Sequence, residues 1–478
     1  MGKLIGRSKE LNSLRGFLAS PTLRGCAMFG IRQVGKTAIL REIASETRSV
    51  YIQFSKGSEE TMVRRAMSFV RRSYRTDREP TTLSDLLDIL EAICREAPAL
   101  IIMDEYPYLS GSLEHSNSMI QGFMDHVIPD TGSKMIVCGS QLSSILDIIR
   151  NASNPLYNRF RFTMEVKPLT FEETCLFHPA MNDMDKIRMY MVLGGMPLDH
   201  IEFTGTSFRE VVENVFLAKG LSYRSVARAR IGSELADTDS YEAIIRAIAD
   251  GRERLRDISQ YTGVPASTCL KHLGKLESIG VVGRYNPMCG APKKPVYMIR
   301  DGLVALWYHV FDGLDEFMLP DDPKSRYALV GDSVNTLMGY RFELFCAEFM
   351  RRNYACDEVG RWWGEEVDED GNRVGTDIDL VAKVRENGKR FTVFGECKFR
   401  NRMMKMRDLE TLEGRARNLD DRANIVLFSA GGFERELIAL AWRHGAILIG
   451  LDEFMGRSPA PLLLTPSHSP TSMASEPE

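Results

Sequence analysis

Gly30-Ile31-Arg32-Gln33-Val34-Gly35-Lys36-Thr37 (GIRQVGKT) meets the pattern G-x-x-x-x-G-K-[ST] at every fixed position. Just before it, GCAMF reads as a buried strand; just after it, AILREIASE has helical periodicity. A glycine-rich turn between strand and helix lets backbone N–H groups and the helix N-terminus wrap a chain of phosphates. The ligand this predicts is ATP with Mg²⁺. Lys36 would reach the β and γ oxygens, the Thr37 hydroxyl would ligate the metal, and the residues from Gly30 to Gly35 would form the cradle. The competing reading is a chance Gly-rich turn, and the flanking strand and helix weigh against it.

Working outward, ALIIMDEY is an apolar strand from Ala99 to Met103 that ends at Asp104 and Glu105. An acid at such a tip holds Mg²⁺, and a second beside it can orient or deprotonate the attacking water. Asp104 takes the first role and Glu105 the second; the plainer alternative is a solvated pair closing a strand. KMIVCGS is a further strand ending at Ser140 and Gln141, where a polar side chain could touch the γ-phosphate. In NPLYNRFRF, Arg159 and Arg161 stand before the strand-like TMEVKPL, and either could serve as an arginine finger, in cis or on a neighbouring copy.

LIGRSKELNSL, GIRQVGKT, IIMDEY, IVCGSQ, PLYNRF, PLTFEE and LGGMP follow one another in order. Together they resemble the archaeal-type ATPase family, a branch of the AAA-related and STAND-like P-loop proteins of archaea and bacteria, over about the first 200 residues. The resemblance implies an ASCE-type parallel sheet, with another strand between the P-loop strand and the one ending at Asp104. It also places Leu193 to Pro197 in a helical part after the core. Gln33 departs from it, standing where many relatives carry a second arginine.

The rest of the chain is bounded by composition. With 478 residues, 44% hydrophobic, 26% charged and a net charge of -4, several soluble domains are expected, and any nucleic-acid surface must be a local patch. Nine scattered cysteines suit reduced thiols rather than a zinc site. Neither a signal peptide nor a membrane span is evident, so a cytoplasmic protein without a membrane partner is expected. After Gly456 the Ser-, Pro- and Thr-rich tail is expected to be disordered.

In the middle, Tyr241 to Ala249 and the stretch after Arg252 read as two helices. A Thr262-Gly263-Val264-Pro265 turn and a third helix from Ala266 to Ile279 follow. Leu270, Leu273, Leu276 and Ile279 recur at helical spacing as the core stripe, with Ser267, Thr268, Lys271, His272 and Lys275 largely away from it. VVGRYNP and KKPVYMI read as a two-stranded wing, which makes a winged helix-turn-helix. Ten Lys/Arg against five Asp/Glu from Tyr241 to Arg300 give a net of +5, suited to DNA phosphates; a scaffold packing on the ATPase is the alternative.

Farther on, MGYRFELFCAEFM is helical and carries Glu343, TDIDLVAKV is a strand carrying Asp379, and RFTVFGECKFR is a strand carrying Glu396 and Lys398. Those residues have the D-x(n)-E-x-K order of the PD-(D/E)XK, or restriction-endonuclease-like, fold, although GTDIDL lacks the name-giving Pro. Asp379 and Glu396 on adjacent strands could bind Mg²⁺, Lys398 shares a strand face with Glu396, and Glu343 would complete the site, with Asp377 a further ligand. The alternative is a strand face on which acids simply pair with lysine. Helix-strand-helix alternation follows through MRDLETLEGRARNL, NIVLFSAGGF and ELIALAWRHGAILIGL. VYMIRDGLVALWYHVF and this region resemble the domain of formerly unknown function that follows the winged helix in the same ATPase family.

The organisation expected is therefore α/β: an ATPase core over 1–175, a helical extension over 176–238, a winged helix over 239–315, a nuclease-like domain over 316–456, and a tail over 457–478. The function expected is ATP hydrolysis coupled to action on DNA with a metal-dependent nuclease. An ATP-dependent DNA- or protein-binding switch without cleavage is the alternative, and a homo-oligomer is left open.

Overall fold

A computed structural model describes residues 4–140, 142–217, 223–232, 238–289, 294–314, 319–367, 373–420 and 423–463. Gln141 and the tail beyond 463 lie outside the described residues. The chain divides into two compact units: Met1–Pro179 with Gly195–Glu202, and Ala180–Gly194 with Phe203–Glu478.

In the first unit, strands β1 (Gly25–Phe29), β2 (Ser49–Gln53), β3 (Leu100–Asp104), β4 (Lys134–Gly139) and β5 (Phe162–Glu165) form one sheet. Their order is β2-β3-β4-β1-β5, and every neighbouring pair is parallel. β4 stands between the P-loop strand β1 and the strand ending at Asp104, as the ASCE arrangement requires. The apolar runs are continuous because both faces are covered. Ala27, Ile101, Met103, Met135 and Val137 enter one core cluster. Cys26, Met28, Leu100, Ile102, Ile136 and Cys138 enter the cluster on the other side.

In the second unit, helices Thr238–Ala249, Leu255–Thr262 and Ala266–Ser278 precede an antiparallel hairpin of β6 (Val282–Tyr285) and β7 (Val296–Ile299). The core stripe of the third helix differs from its sequence expectation. Cys269, Leu273 and Leu276 are buried, whereas Leu270 is 49% exposed and Ile279 only partly buried. Leu273 and Leu276 keep their expected places, while Cys269 takes the core position in place of Leu270, which stands on the outer face with Lys271. His272 is half-buried against Tyr241, their ring centroids 4.4 Å apart.

A 31-residue helix, Pro323–Asn353, leads into a mixed sheet. It is built from β8 (Ala355–Val367), β9 (Arg373–Glu386), β10 (Lys389–Lys398), β11 (Asn424–Ser429) and β12 (Ala446–Ile449), ordered β12-β11-β10-β9-β8. β8, β9 and β10 pair antiparallel; β10, β11 and β12 pair parallel. Phe342, Phe345 and Phe349 of the long helix meet Phe454, which fixes the helix rotation that carries Glu343 to the sheet. Among the described residues, no helix is long and apolar enough to cross a membrane.

Candidate functional sites at the two sheets

The P-loop joins β1 to the helix Lys36–Glu46. Its glycines are sterically required. A Cβ at Gly30 would lie 2.3 Å from the Val166 carbonyl oxygen, and Gly35 has φ of 99°, a region that side chains rarely tolerate. Gln33 also lies in the left-handed region, at φ 62°. Arg7, buried and itself left-handed, donates from Nη2 to the Val34 carbonyl at 2.6 Å and so braces the loop from behind.

Lys36 is 5% exposed and donates from Nζ to the carbonyls of Gly30 at 2.8 Å and Ile31 at 2.9 Å. These partners are dipoles, not charges. Among the described residues no carboxylate takes the ammonium, which suits capture of phosphate oxygens. Thr37 Oγ1 donates to Asp104 Oδ2 at 2.8 Å, so hydroxyl and carboxylate meet across the sheet although 67 residues separate them. The Tyr51 hydroxyl, on β2, donates to the same oxygen at 2.7 Å. Burial first, then the Asp104 carboxylate, push the Tyr51 phenol upward, so it remains a donor.

Glu105 has φ of 54°, an uncommon conformation for a non-glycine residue, which turns its side chain away from the strand direction. Its Oε2 accepts from Ser140 Oγ at 3.1 Å, bringing the tips of β3 and β4 together. Arg159 is bound twice to Asp125, at 3.1 and 2.9 Å, so it would have to leave that partner to act as a finger. Arg161 is exposed.

The residues present fit a nucleotide with its metal. Lys36 is held by backbone carbonyls, the Asp104 carboxylate is bonded by neutral donors, among them the Thr37 and Tyr51 hydroxyls, and Gly30 leaves no room for a side chain. When bound, Mg²⁺ offsets phosphate charge; Thr37 and Asp104 would hold it. Lys36 would bind the terminal phosphates, and Glu105, steadied by Ser140, would take the proton from water.

At the second sheet, Asp379, Glu396 and Lys398 come together on β9 and β10. Lys398 Nζ lies 3.7 Å from Asp379 Oδ2 and is paired closely with Glu396. Asp379 Oδ2 also accepts from the Cys397 N–H at 2.9 Å. Glu343, a neighbour of Asp379, meets a different cation: its Oε2 lies 3.7 Å from Arg361 Nη1, while Arg361 Nη2 reaches Asp377 Oδ2 at 3.1 Å.

Burial, reinforced by Asp379, pushes the Glu343 carboxyl up to about 8. Burial and then Asp379 raise Glu396 as well, against the pull of Lys398. Burial opposes charge on Lys398, but Asp379 and Glu396 outweigh it and hold the ammonium above its ordinary range.

This cluster does not fit a divalent ion as it stands. Among the described residues no group of three His, Cys, Asp or Glu side chains is placed to hold one. Lys398 lies where Asp379 and Glu396 would share a cation, and Arg361 does the same between Glu343 and Asp377. The sequence-derived metal set of Glu343, Asp379 and Glu396 is therefore divided between two protein cations.

Tyr51, Arg7 and Arg361 were not singled out by sequence reasoning. Only Arg7 carried a signal there, inside the LIGRSKEL motif.

A family model described as an ATPase domain predominantly from Archaea matches residues 4–203. A second, of archaeal and bacterial proteins of unknown function, matches residues 309–411. An uncharacterized protein of Methanocaldococcus jannaschii is 23% identical over 418 residues, covering 85% of this chain and 90% of the relative. Among solved structures, a Walker-type ATPase of Pyrococcus abyssi is 20% identical with a TM-score of 0.47, over 64% of this chain and 96% of that one. The ORC2 protein of Aeropyrum pernix is 13% identical with a TM-score of 0.42, over 70% of this chain and 96% of that one.

Proposed function

We propose that the domain over residues 4–203, which matches the model of an ATPase domain predominantly from Archaea, controls how the second unit engages DNA. The observation that carries the ATP half is the meeting of Thr37, Asp104, Glu105 and Ser140 at the tips of β3 and β4 beside the P-loop. Support for the DNA half is the basic helix-and-hairpin region from Tyr241 to Arg300, read as a winged helix with a net of +5 in an otherwise acidic chain. Exposed Ser267, Lys271 and Lys275 lie on one side of its third helix, available to phosphates.

Whether the second unit also cuts DNA separates two readings. The meeting of Asp379, Glu396 and Lys398 on adjacent strands supports a nuclease. Their closure into ion pairs favours the other reading, an ATP-dependent binding switch, because Lys398 and Arg361 would first have to release the carboxylates. The switch is therefore placed ahead of cleavage, reversing the order expected from sequence.

The test incubates the full chain with supercoiled and linear DNA, in Mg²⁺ or Mn²⁺, with and without ATP, beside Lys36→Ala and Lys398→Ala. ATP-dependent retention of intact DNA, lost in Lys36→Ala, is the result expected. Cleavage by wild type but not by Lys398→Ala would establish the nuclease reading instead. Absence of any DNA binding would remove both.

A further inference from the structure

The helix-and-hairpin region and the mixed sheet border a half-open cavity of about 230 Å³ within the second unit. Trp363, Asp377 and Arg361 line it from β8 and β9, and Glu253, Arg254 and Asp257 line it from the helical side. Trp363 and Asp377 are direct cross-strand partners, so they share a face of the sheet. Trp362 takes the opposite face and enters the core.

The walls are pinned. The Met288 N–H donates to the Arg361 carbonyl at 3.1 Å, and the Tyr297 N–H donates to the Glu253 carbonyl at 2.8 Å. Met298 Sδ lies 3.7 Å from Arg361 Nη1.

The polar groups facing this space are incompletely matched within the protein. Arg361 Nε is buried behind the wall without a hydrogen-bond partner, and its Nη atoms are taken by Glu343, Asp377 and Met298. Glu253 lies partly buried between Arg254 and Arg361, which pull its carboxyl down, yet burial outweighs them and holds it above its ordinary range. Its neighbour Asp257 is also only partly exposed. Carboxylates set against a cavity in this way are costly unless a donor enters. An aromatic wall beside them adds a stacking surface. The volume lies below the roughly 300–1,000 Å³ of pockets for drug-sized ligands, which suits a single planar ring system.

We infer that this cavity is a binding site for a guanine base, on a DNA strand or a free nucleoside. Among the four DNA bases, guanine alone presents two adjacent N–H donors, N1–H and N2–H₂, on its pairing edge. They match the two oxygens of one carboxylate, Glu253 or Asp257, in a charge-assisted pair. Trp363 stacks on the ring, and Arg254 donates to O6 or to a neighbouring phosphate. The strand form of this site rests on the DNA reading above; the nucleoside form does not.

The full chain, its P-loop saturated with a non-hydrolysable ATP analogue, is titrated with short oligothymidylates carrying one central dG, inosine, dA or dC. Free deoxyguanosine and deoxyadenosine form a second arm. The dG strand is expected to bind about tenfold more tightly than all-dT. Inosine, which lacks the N2 donors, should lose several-fold, and Glu253→Gln with Asp257→Asn should abolish the preference while thermal melting stays unchanged. The inosine arm changes only the ligand, so a folding defect cannot imitate it. DNA binding with no preference for dG would overturn the pocket and leave the DNA reading standing. Binding of deoxyguanosine without any strand binding would do the reverse, and failure of every ligand would overturn both.

Discussion

Each unit carries a lysine and a set of carboxylates at a sheet, and the two handle the lysine's charge in opposite ways. Lys36 is bonded to two carbonyl dipoles, while Asp104 is bonded to the hydroxyls of Thr37 and Tyr51. Lys398 is shared by Asp379 and Glu396, and Arg361 by Glu343 and Asp377. The first arrangement leaves places for an anion and a cation from outside. The second is already neutralised from within. Similar residue types thus give a ligand-ready site and a closed one, depending on whether the partners are dipoles or charges.

The largest effect should come from Glu105→Gln, which removes the proton acceptor but not the cradle. ATP turnover should fall by about 10²–10⁴, with nucleotide affinity nearly intact. Lys36→Ala should lower turnover by about 10²–10³ and weaken binding as well. Phosphate release and equilibrium binding measured on the same preparations separate the two. If Glu105→Gln hydrolyses ATP at the wild-type rate, the water-activating role assigned to the tip of β3 is wrong.

At the other sheet, Lys398→Ala leaves Asp379 and Glu396 facing each other without a cation. The loss at pH 8 should be about 1–3 kcal/mol, read by chemical denaturation, and should shrink in acid as the carboxylates protonate. An unchanged midpoint would mean that the lysine does not neutralise this cluster.

Glu343 sharpens the same point through pH. Its carboxyl is held above its ordinary value of 4.5, at about 8, so the folded state keeps a proton that the unfolded chain releases. That contribution is fully present below pH 4.5 and is lost as pH rises toward 8, by roughly 1 kcal/mol per pH unit. In EDTA, Glu343→Gln should flatten the slope over that window and leave the variant relatively more stable at high pH. A slope equal to wild type would rule out Glu343 as the group that titrates.

Smallest should be Tyr51→Phe, which leaves Thr37 as the remaining hydroxyl on that Asp104 oxygen. About 1 kcal/mol, or a severalfold change in turnover, is expected. No change at all would make the phenol a packing group.

The nucleotide site was largely legible because its parts are contiguous: the loop and its flanking strand and helix, then an apolar strand ending in two acids. Strand β4 between β1 and β3 followed from the family resemblance. What escaped depends on partners distant in the chain. Tyr51 reaches Asp104 across 53 residues, and Arg7 reaches Val34 across 27. β8 was hidden because Trp362 and Trp363 sit side by side yet face opposite ways in a strand with irregular register, which blurs the alternation a reader looks for. The D…E-x-K order was visible, but not that Lys398 closes on Asp379 and Glu396, nor that Arg361 on another strand takes Glu343 and Asp377. Leu270 was misplaced by one helical position because Cys269, a small residue, takes the core contact instead.

Titration of Mn²⁺ into the full chain, with and without ATP, tests the contrast between the two sheets most directly. Binding that requires ATP and disappears in Asp104→Asn is predicted, with none at the second sheet in the absence of DNA. Binding without nucleotide that disappears in Asp379→Asn would contradict it, showing that Lys398 yields readily to a metal and that the second sheet is as open as the first.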